Sequence, residues 1–218
     1  MKTADIKVEL LDYMGSDISV VNAARVSFGK EVQSLEQKDV KLIRYLAEHG
    51  HWSPFAHTCM TIRIKVPLFL ARQLVKHQVG GNWNEESRRY IHDEPEFYMP
   101  EQLHYKPENA KQGSAGVHEF SHIGLGIMSY ITNQALDNYR VLINNDVAPE
   151  EARMILPLNT MTNVIWTGSV LFFSRVFNQR VDGHAQLAAQ EFARKLQDVI
   201  HDVYPLSWAV LTKERKVN

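Results

Sequence analysis

Between residues 60 and 66 the chain alternates without a break: Met60, Ile62, Ile64 and Val66 are apolar, and Thr61, Arg63 and Lys65 are polar. A period of two is the pattern of a strand, whose successive side chains leave on opposite faces. One face of this strand must be buried and the other can meet water, so a layer has to pack against it on one side. Pro67 follows at once and opens a helix, since proline is tolerated at a first helical position.

Other segments fit around that strand. Ile6, Val8 and Leu10 alternate as a first strand, and Ser16 and Asp17 can cap a helix over "ISVVNAARVSF" that stops near Gly29. A second helix, about Leu35 to Glu48, carries Val40, Ile43, Leu46 and Ala47 on one side and ends at Gly50. Residues 91–115 read as a surface loop. A long helix from about Val117 to Ile143 sets Phe120, Ile123, Ile127 and Ile131 at helical spacing, with His118 and His122 roughly opposite on a solvated face. Pro149 opens a short helix containing Arg153, and "TMTNVIWT" alternates as a strand. Ser169 can cap "VLFFSRVFNQR", and "HAQLAAQEFARKLQDVIHDVY" is the closing helix. The expected fold is α+β: a single domain over residues 1–218, with a small, mostly antiparallel sheet packed by long helices.

A net charge of -1 argues against a general binder of nucleic acid or anionic membranes, so any cationic site must be local. Cys59 is the single cysteine, which rules out an intrachain disulfide and a four-thiolate zinc site. The start "MKTADIKVELL" lacks the apolar core of a signal peptide, and no apolar run approaches membrane-spanning length. A cytoplasmic protein is expected, or one of the host cytoplasm were the source viral.

Several short motifs compete as sites. "HEFSH", His118 to His122, matches the H-E-x-x-H zinc pattern, which makes a zinc metallohydrolase one alternative. "HGHWSPFAH" brings His49, His51 and His57 together, but Gly50 as a helix stop and Ser53-Pro54 as a cap and start explain the spacing by backbone chemistry. His51 or Ser53 could instead serve an anion at these helix ends. Cys59 has no inferable acid or base partner, and Ser87 has no identifiable base, so neither reads as a nucleophile.

The densest polar chemistry lies in "RQLVKHQVGGNWNEESRRY", Arg72 to Tyr90. Gln73 and His77, four apart on the expected helix, share a face with Lys76 beside them. Gly80-Gly81 let the chain turn and let a flat ligand approach the backbone. Glu85, Ser87, Arg88 and Arg89 then offer an acceptor, a hydroxyl and two guanidinium forks, which suit a phosphate. The segment reads as a nucleotide monophosphate site with a planar partner; a non-catalytic nucleotide-binding protein is the second alternative.

In order along the chain, "AARVSF", "HGHWSPFAH", "ARQLVKHQ", "NEESRRY", "EFYMP", "EARMILPLN", R-x-D-x-HAQ and a closing helix with a proline resemble the flavin-dependent thymidylate synthase family. The resemblance implies reductive methylation of dUMP to dTMP, with methylenetetrahydrofolate as carbon donor, FAD as hydride carrier and NADPH as reductant. It also implies a homotetramer whose active sites combine subunits. By the same matching Arg180 is the catalytic arginine that stabilises an ionised uracil, its alternative role being an ion pair with Asp182. Gln73, Lys76, Glu85, Glu86, Ser87, Arg88, Arg89, Arg153 and Arg180 match dUMP contacts. Ser53, Lys76, His77, Gln78, Glu85, Ser169 and Arg175 match the FAD site, with His51 at a folate or flavin contact.

The family's Arg-His-Arg signature stands here as Lys76-His77-Gln78, with Ser87 after an eight-residue gap. Both planar forks and one charge are lost near FAD. An extra residue around Asn82-Trp83 lengthens the loop, and Trp83 is a candidate to stack on a ring. Arg175 is placed to supply the charge that Leu171 does not.

Overall fold

A computed structural model describes residues 1–91, 93–108 and 113–212. The chain opens with two strands, β1 (Lys2–Thr3) and β2 (Lys7–Met14). Helix α1 (Asp17–Arg25) tightens into a 3-10 turn at Val26–Phe28 and stops at Gly29, whose φ of 61° is left-handed. Helix α2 (Gln37–Glu48) ends two residues before Gly50, and a 3-10 turn at Ser53–His57 leads into β3 (Cys59–Pro67). Next come α3 (Leu68–Leu74), β4 (Gly81–Glu85) and β5 (Glu96–Phe97). The long α4 (Ser121–Asn144) and short α5 (Pro149–Ala152) lead through a 3-10 turn at Arg153–Ile155 to β6 (Met161–Gly168). Helices α6 (Val170–Arg180), α7 (Leu187–His201) and α8 (Pro205–Thr212) close the described chain.

Four strands form an antiparallel sheet in the order β2-β3-β6-β4, and β1 and β5 make a separate parallel pair. The alternation over residues 60–66 is borne out: Met60, Ile62, Ile64 and Val66 are buried, and Arg63 on the opposite face is exposed. Burying an isoleucine fully contributes about 1.5–3 kcal/mol, whereas an exposed ion pair such as Arg63–Glu9 contributes about 0–1 kcal/mol. The apolar face therefore sets the register. Trp166, Phe173, Phe192, Tyr204 and Trp208, from β6, α6, α7 and α8 and the residue before α8, complete the core against it. The fold is α+β with a small, mostly antiparallel sheet, as expected. No helix among the described residues is long and apolar enough to cross a membrane.

Five details depart from the sequence reading. Asp17 lies in the first turn of α1, but its carboxylate accepts the backbone N–H groups of Leu206 and Ser207, both at 2.9 Å, and so caps α8. The helix expected over residues 184–204 is α7, and a further helix, α8, follows it from Pro205. Helix α3 ends at Leu74, short of His77. Residues 81–85 are a strand rather than a loop, and residues 96–97 within the expected 91–115 loop pair with β1; residues 92 and 109–112 of that loop lie outside the described set.

The fifth concerns α4. It begins at Ser121, and its apolar stripe is not buried: Phe120 is 46 %, Ile123 58 %, Ile127 53 % and Ile131 55 % exposed. The helix rests on the rest of the chain through Gly124, Thr132, Leu136 and Tyr139 instead. Helical periodicity is present, but the stripe it marks faces away from the chain's own core.

Candidate active site

The centre of the site is a cavity of about 770 Å³ where the end of α3 meets the loop after α6. Arg180, in the last turn of α6, reaches into it. Its Nε and Nη2 both donate to His77 Nε2, at 3.1 and 2.9 Å, and Nη2 also donates to the Gln73 carbonyl at 3.3 Å. That carbonyl is among the last four of α3, which have no intrahelical partner. The helix end therefore holds the cation.

Accepting at Nε2 places the His77 proton on Nδ1. Burial, reinforced by the Arg180 charge, pushes the His77 pKa down to about 4, so the imidazole is neutral near neutral pH. Arg180 is lowered by burial but stays ionised. No hydrogen bond or ion pair among the described residues engages its Nη1. Arg72, Lys76, Asp182 and His184 also line the cavity, and Asp182 Oδ1 accepts the His184 amide at 2.9 Å.

The second half of the motif sits on the edge strand β4. Glu85 Oε1 accepts from Thr162 at 3.0 Å and Glu86 Oε2 from Asn163 at 2.7 Å, so the two adjacent acids fasten β4 to β6. Ser87 Oγ accepts from Arg89 Nε at 3.0 Å. Arg88 Nη1 donates to the Asp93 carbonyl at 2.8 Å while its buried Nε finds no partner. Arg89 is exposed, with its guanidinium 5.0 Å from the centre of the Tyr90 ring. Arg153 is exposed on the 3-10 turn after α5. Among the described residues no hydrogen bond or ion pair joins this group, or Arg153, to Arg180 or His77.

One expectation about this segment is corrected. The open side of Gly81 does not await a flat ligand: Gly81 pairs with Gly168, and a Cβ on either would lie 2.3 Å from the Phe172 ring, which fills the space. Trp83 packs edge-on against Trp166, centroids 5.1 Å apart.

Ser53 is exposed on the 3-10 turn, and the segment it begins lies at the start of α6, where Val170 N donates to Thr58 Oγ1 at 3.0 Å. Ser169 caps α6 as expected, accepting from Phe172 N at 3.1 Å. Arg175, Lys76 and Gln78 are exposed. His51 is exposed beside Tyr45.

The zinc alternative loses its geometry. His118 precedes α4, stacks on Tyr105 at 4.0 Å and accepts the Phe120 amide through Nδ1, so it does not share a helical face with His122. No group of three or more metal-binding side chains is assembled among the described residues. A second hollow of about 450 Å³, lined by Lys7, Arg63 and Lys65, is a weaker anion site because Arg63 pairs with Glu9 and Lys65 with Glu96.

Residues 9–206 match the protein family described as "Thymidylate synthase complementing protein". The flavin-dependent thymidylate synthase of Thermosipho melanesiensis is 36% identical over 209 residues, covering 94% of this chain and 90% of that protein. The chain belongs to this family. The enzyme of the same description from Thermus thermophilus is 35% identical over 202 residues, 93% of this chain and 74% of its own length. Among solved structures, a UMP/dUMP methylase, PolB, from Streptomyces cacaoi bound with 5-Br dUMP superposes with a TM-score of 0.88 at 26% identity, over 98% of this chain and 97% of that one.

Two cavity residues lie outside the set expected from the sequence. Arg72 and His184 line the cavity with Arg180. A cation one residue before Gln73 was the available signal for the first. For the second it was a histidine in a glycine-containing turn just after an arginine-bearing helix end.

Proposed function

We propose that the chain makes dTMP from dUMP by reductive methylation, with FAD as hydride carrier, NADPH as reductant and methylenetetrahydrofolate as carbon donor, residues 1–218 acting as one catalytic domain. The observation that carries this is Arg180: a part-buried guanidinium fixed by a neutral imidazole and a helix-end carbonyl, with Nη1 unengaged among the described residues. A permanent cation beside a uracil stabilises its N3-ionised form and raises electron density at the carbon to be methylated. No enzyme nucleophile is needed.

The remaining residues divide the binding. Gln73 orients the pyrimidine from the cavity wall, while Ser87, Arg88, Arg89 and Arg153 take the phosphate. Glu85 and Glu86 keep β4, and with it the Ser87 turn, in place. The donor set also suits a flavin dinucleotide. Lys76 and Arg175 are exposed cations without a counter-charge among the described residues, as a pyrophosphate requires, with Ser53 and Gln78 as neutral donors and His51 as a flat contact. Bound there, FAD would supply the hydride that converts the transferred carbon to a methyl group.

Because no hydrogen bond or ion pair among the described residues joins Arg180 to the Ser87–Arg89 cluster, the reading brings them together across subunits of a homotetramer in the cytoplasm, with the exposed α4 stripe as contact surface. The test is colour. Purified protein should be yellow or become so with FAD, and NADPH should bleach it; a protein that binds dUMP yet neither takes up FAD nor oxidises NADPH would be a non-catalytic nucleotide binder.

A further inference from the structure

The geometry points to His77 as the positioning residue of Arg180: a neutral two-bond acceptor that fixes the guanidinium plane and leaves the Nη1 edge to the substrate. This rests on the reading of Arg180 as the group that activates the pyrimidine, and it assigns His77 a task other than flavin contact.

An arginine on a helix end has several rotatable bonds, and an unheld guanidinium would lose that freedom when it meets a ligand. Here three of its donor contacts are already made. Nε and Nη2 converge on one atom, His77 Nε2, and Nη2 also reaches the Gln73 carbonyl. His77 is held in turn by its own backbone, whose N–H donates to the Leu74 carbonyl at 3.0 Å just beyond α3. Its ring lies 6.5 Å from that of the fully buried Trp166.

The residue type matters because the usual holder of an arginine is a carboxylate, which would also cancel its charge. A neutral imidazole holds the fork and leaves the full positive charge for an anionic ring. Protonation would turn the Nε2 acceptor into a donor aimed at a cation. Around this pair Arg72 and Lys76 add positive charge, and Asp182 and His184 line the same cavity.

The experiment uses the FAD-loaded enzyme and two ligands of nearly equal size, 5-bromo-dUMP and dTMP. Bromine withdraws electrons and acidifies N3, whereas methyl does not, so their affinity ratio reports stabilisation of the ionised ring. His77→Phe removes the acceptor and His77→Gln restores one. In His77→Phe the ratio should fall roughly tenfold or more towards unity, and kcat should fall with it, while bound flavin, read at its visible band, stays as in the parent. His77→Gln should recover part of both. In an Arg180→Ala background, adding His77→Phe should change the ratio no further. An unchanged ratio and kcat in His77→Phe, beside an inactive Arg180→Ala enzyme, would overturn the positioning role and leave Arg180 standing. Loss of flavin with the ratio intact would return His77 to a flavin contact. An Arg180→Ala enzyme that keeps the ratio and still forms dTMP would remove the reading beneath the proposal. A His77→Phe protein that fails to fold leaves His77→Gln and the Arg180→Ala comparison to decide: a His77→Gln enzyme with the ratio abolished and flavin retained would also count against it.

Discussion

Arg180 shows how one side chain acquires a role from its neighbours. In water an arginine is a mobile cation; at the end of α6 it is held by the α3 terminus and by an imidazole that burial keeps uncharged. The His77 pKa is depressed in the fold, to about 4 from 6.5, so between those values the unfolded chain binds more protons. The resulting stability is fully present above pH 6.5 and is lost as pH falls towards 4. Thermal midpoints measured across that window should drop more steeply for the parent than for His77→Gln, and parallel curves would contradict it. Ser87 is the second residue with a sharp expectation. Its hydroxyl is paired with Arg89, and in the proposed phosphate site Ser87→Ala should raise the dUMP KM about tenfold and leave kcat within about threefold. Complete loss at saturating dUMP would make Ser87 the nucleophile instead.

Among the elements, β4 depends on a space that two glycines provide. Gly81 and Gly168 face one another across the strands, and the Phe172 ring occupies the place of both missing Cβ atoms. Gly81→Ala should therefore destabilise by about 1–3 kcal/mol in urea denaturation, and Phe172→Leu should recover part of that loss. An alanine variant as stable as the parent would mean β4 is free to shift. This is also where the sequence was hardest to read. Strands β2, β3 and β6 announce themselves by alternation, and α6 by Ser169 and its apolar run. Residues 81–85 do not: Gly81, Asn82 and Asn84 are poor strand formers, and pairing with β6 outweighs their local preference. The helix reading that stacked Gln73 on His77 had the wrong geometry, since α3 ends at Leu74, yet both meet at Arg180. The Ser87–Arg89 cluster proposed for the phosphate stands out by residue type and order; its relation to Arg180 in the proposed tetramer does not, because periodicity says nothing of what another subunit supplies.

At the scale of the whole molecule, the exposed stripe on α4 is the feature a lone chain leaves unexplained. Ile123, Ile127 and Ile131 would together expose apolar surface that water opposes. In the homotetramer proposed above, that stripe is covered. Ile127→Glu should then shift light-scattering mass from a tetramer to a smaller species, and dTMP formation should fall with it because the Arg180 and Ser87–Arg89 halves are separated. A tetramer of unchanged mass and activity would place the interface elsewhere. The chemistry itself is tested most directly by a single turnover without oxygen. Enzyme with reduced flavin is mixed with methylenetetrahydrofolate and dUMP, and dTMP is quantified for the parent and for Arg180→Ala. The parent should form dTMP in step with flavin oxidation, and Arg180→Ala should form none although its reduced flavin still reacts with oxygen; dTMP from the Arg180→Ala enzyme at the parent rate would contradict the account.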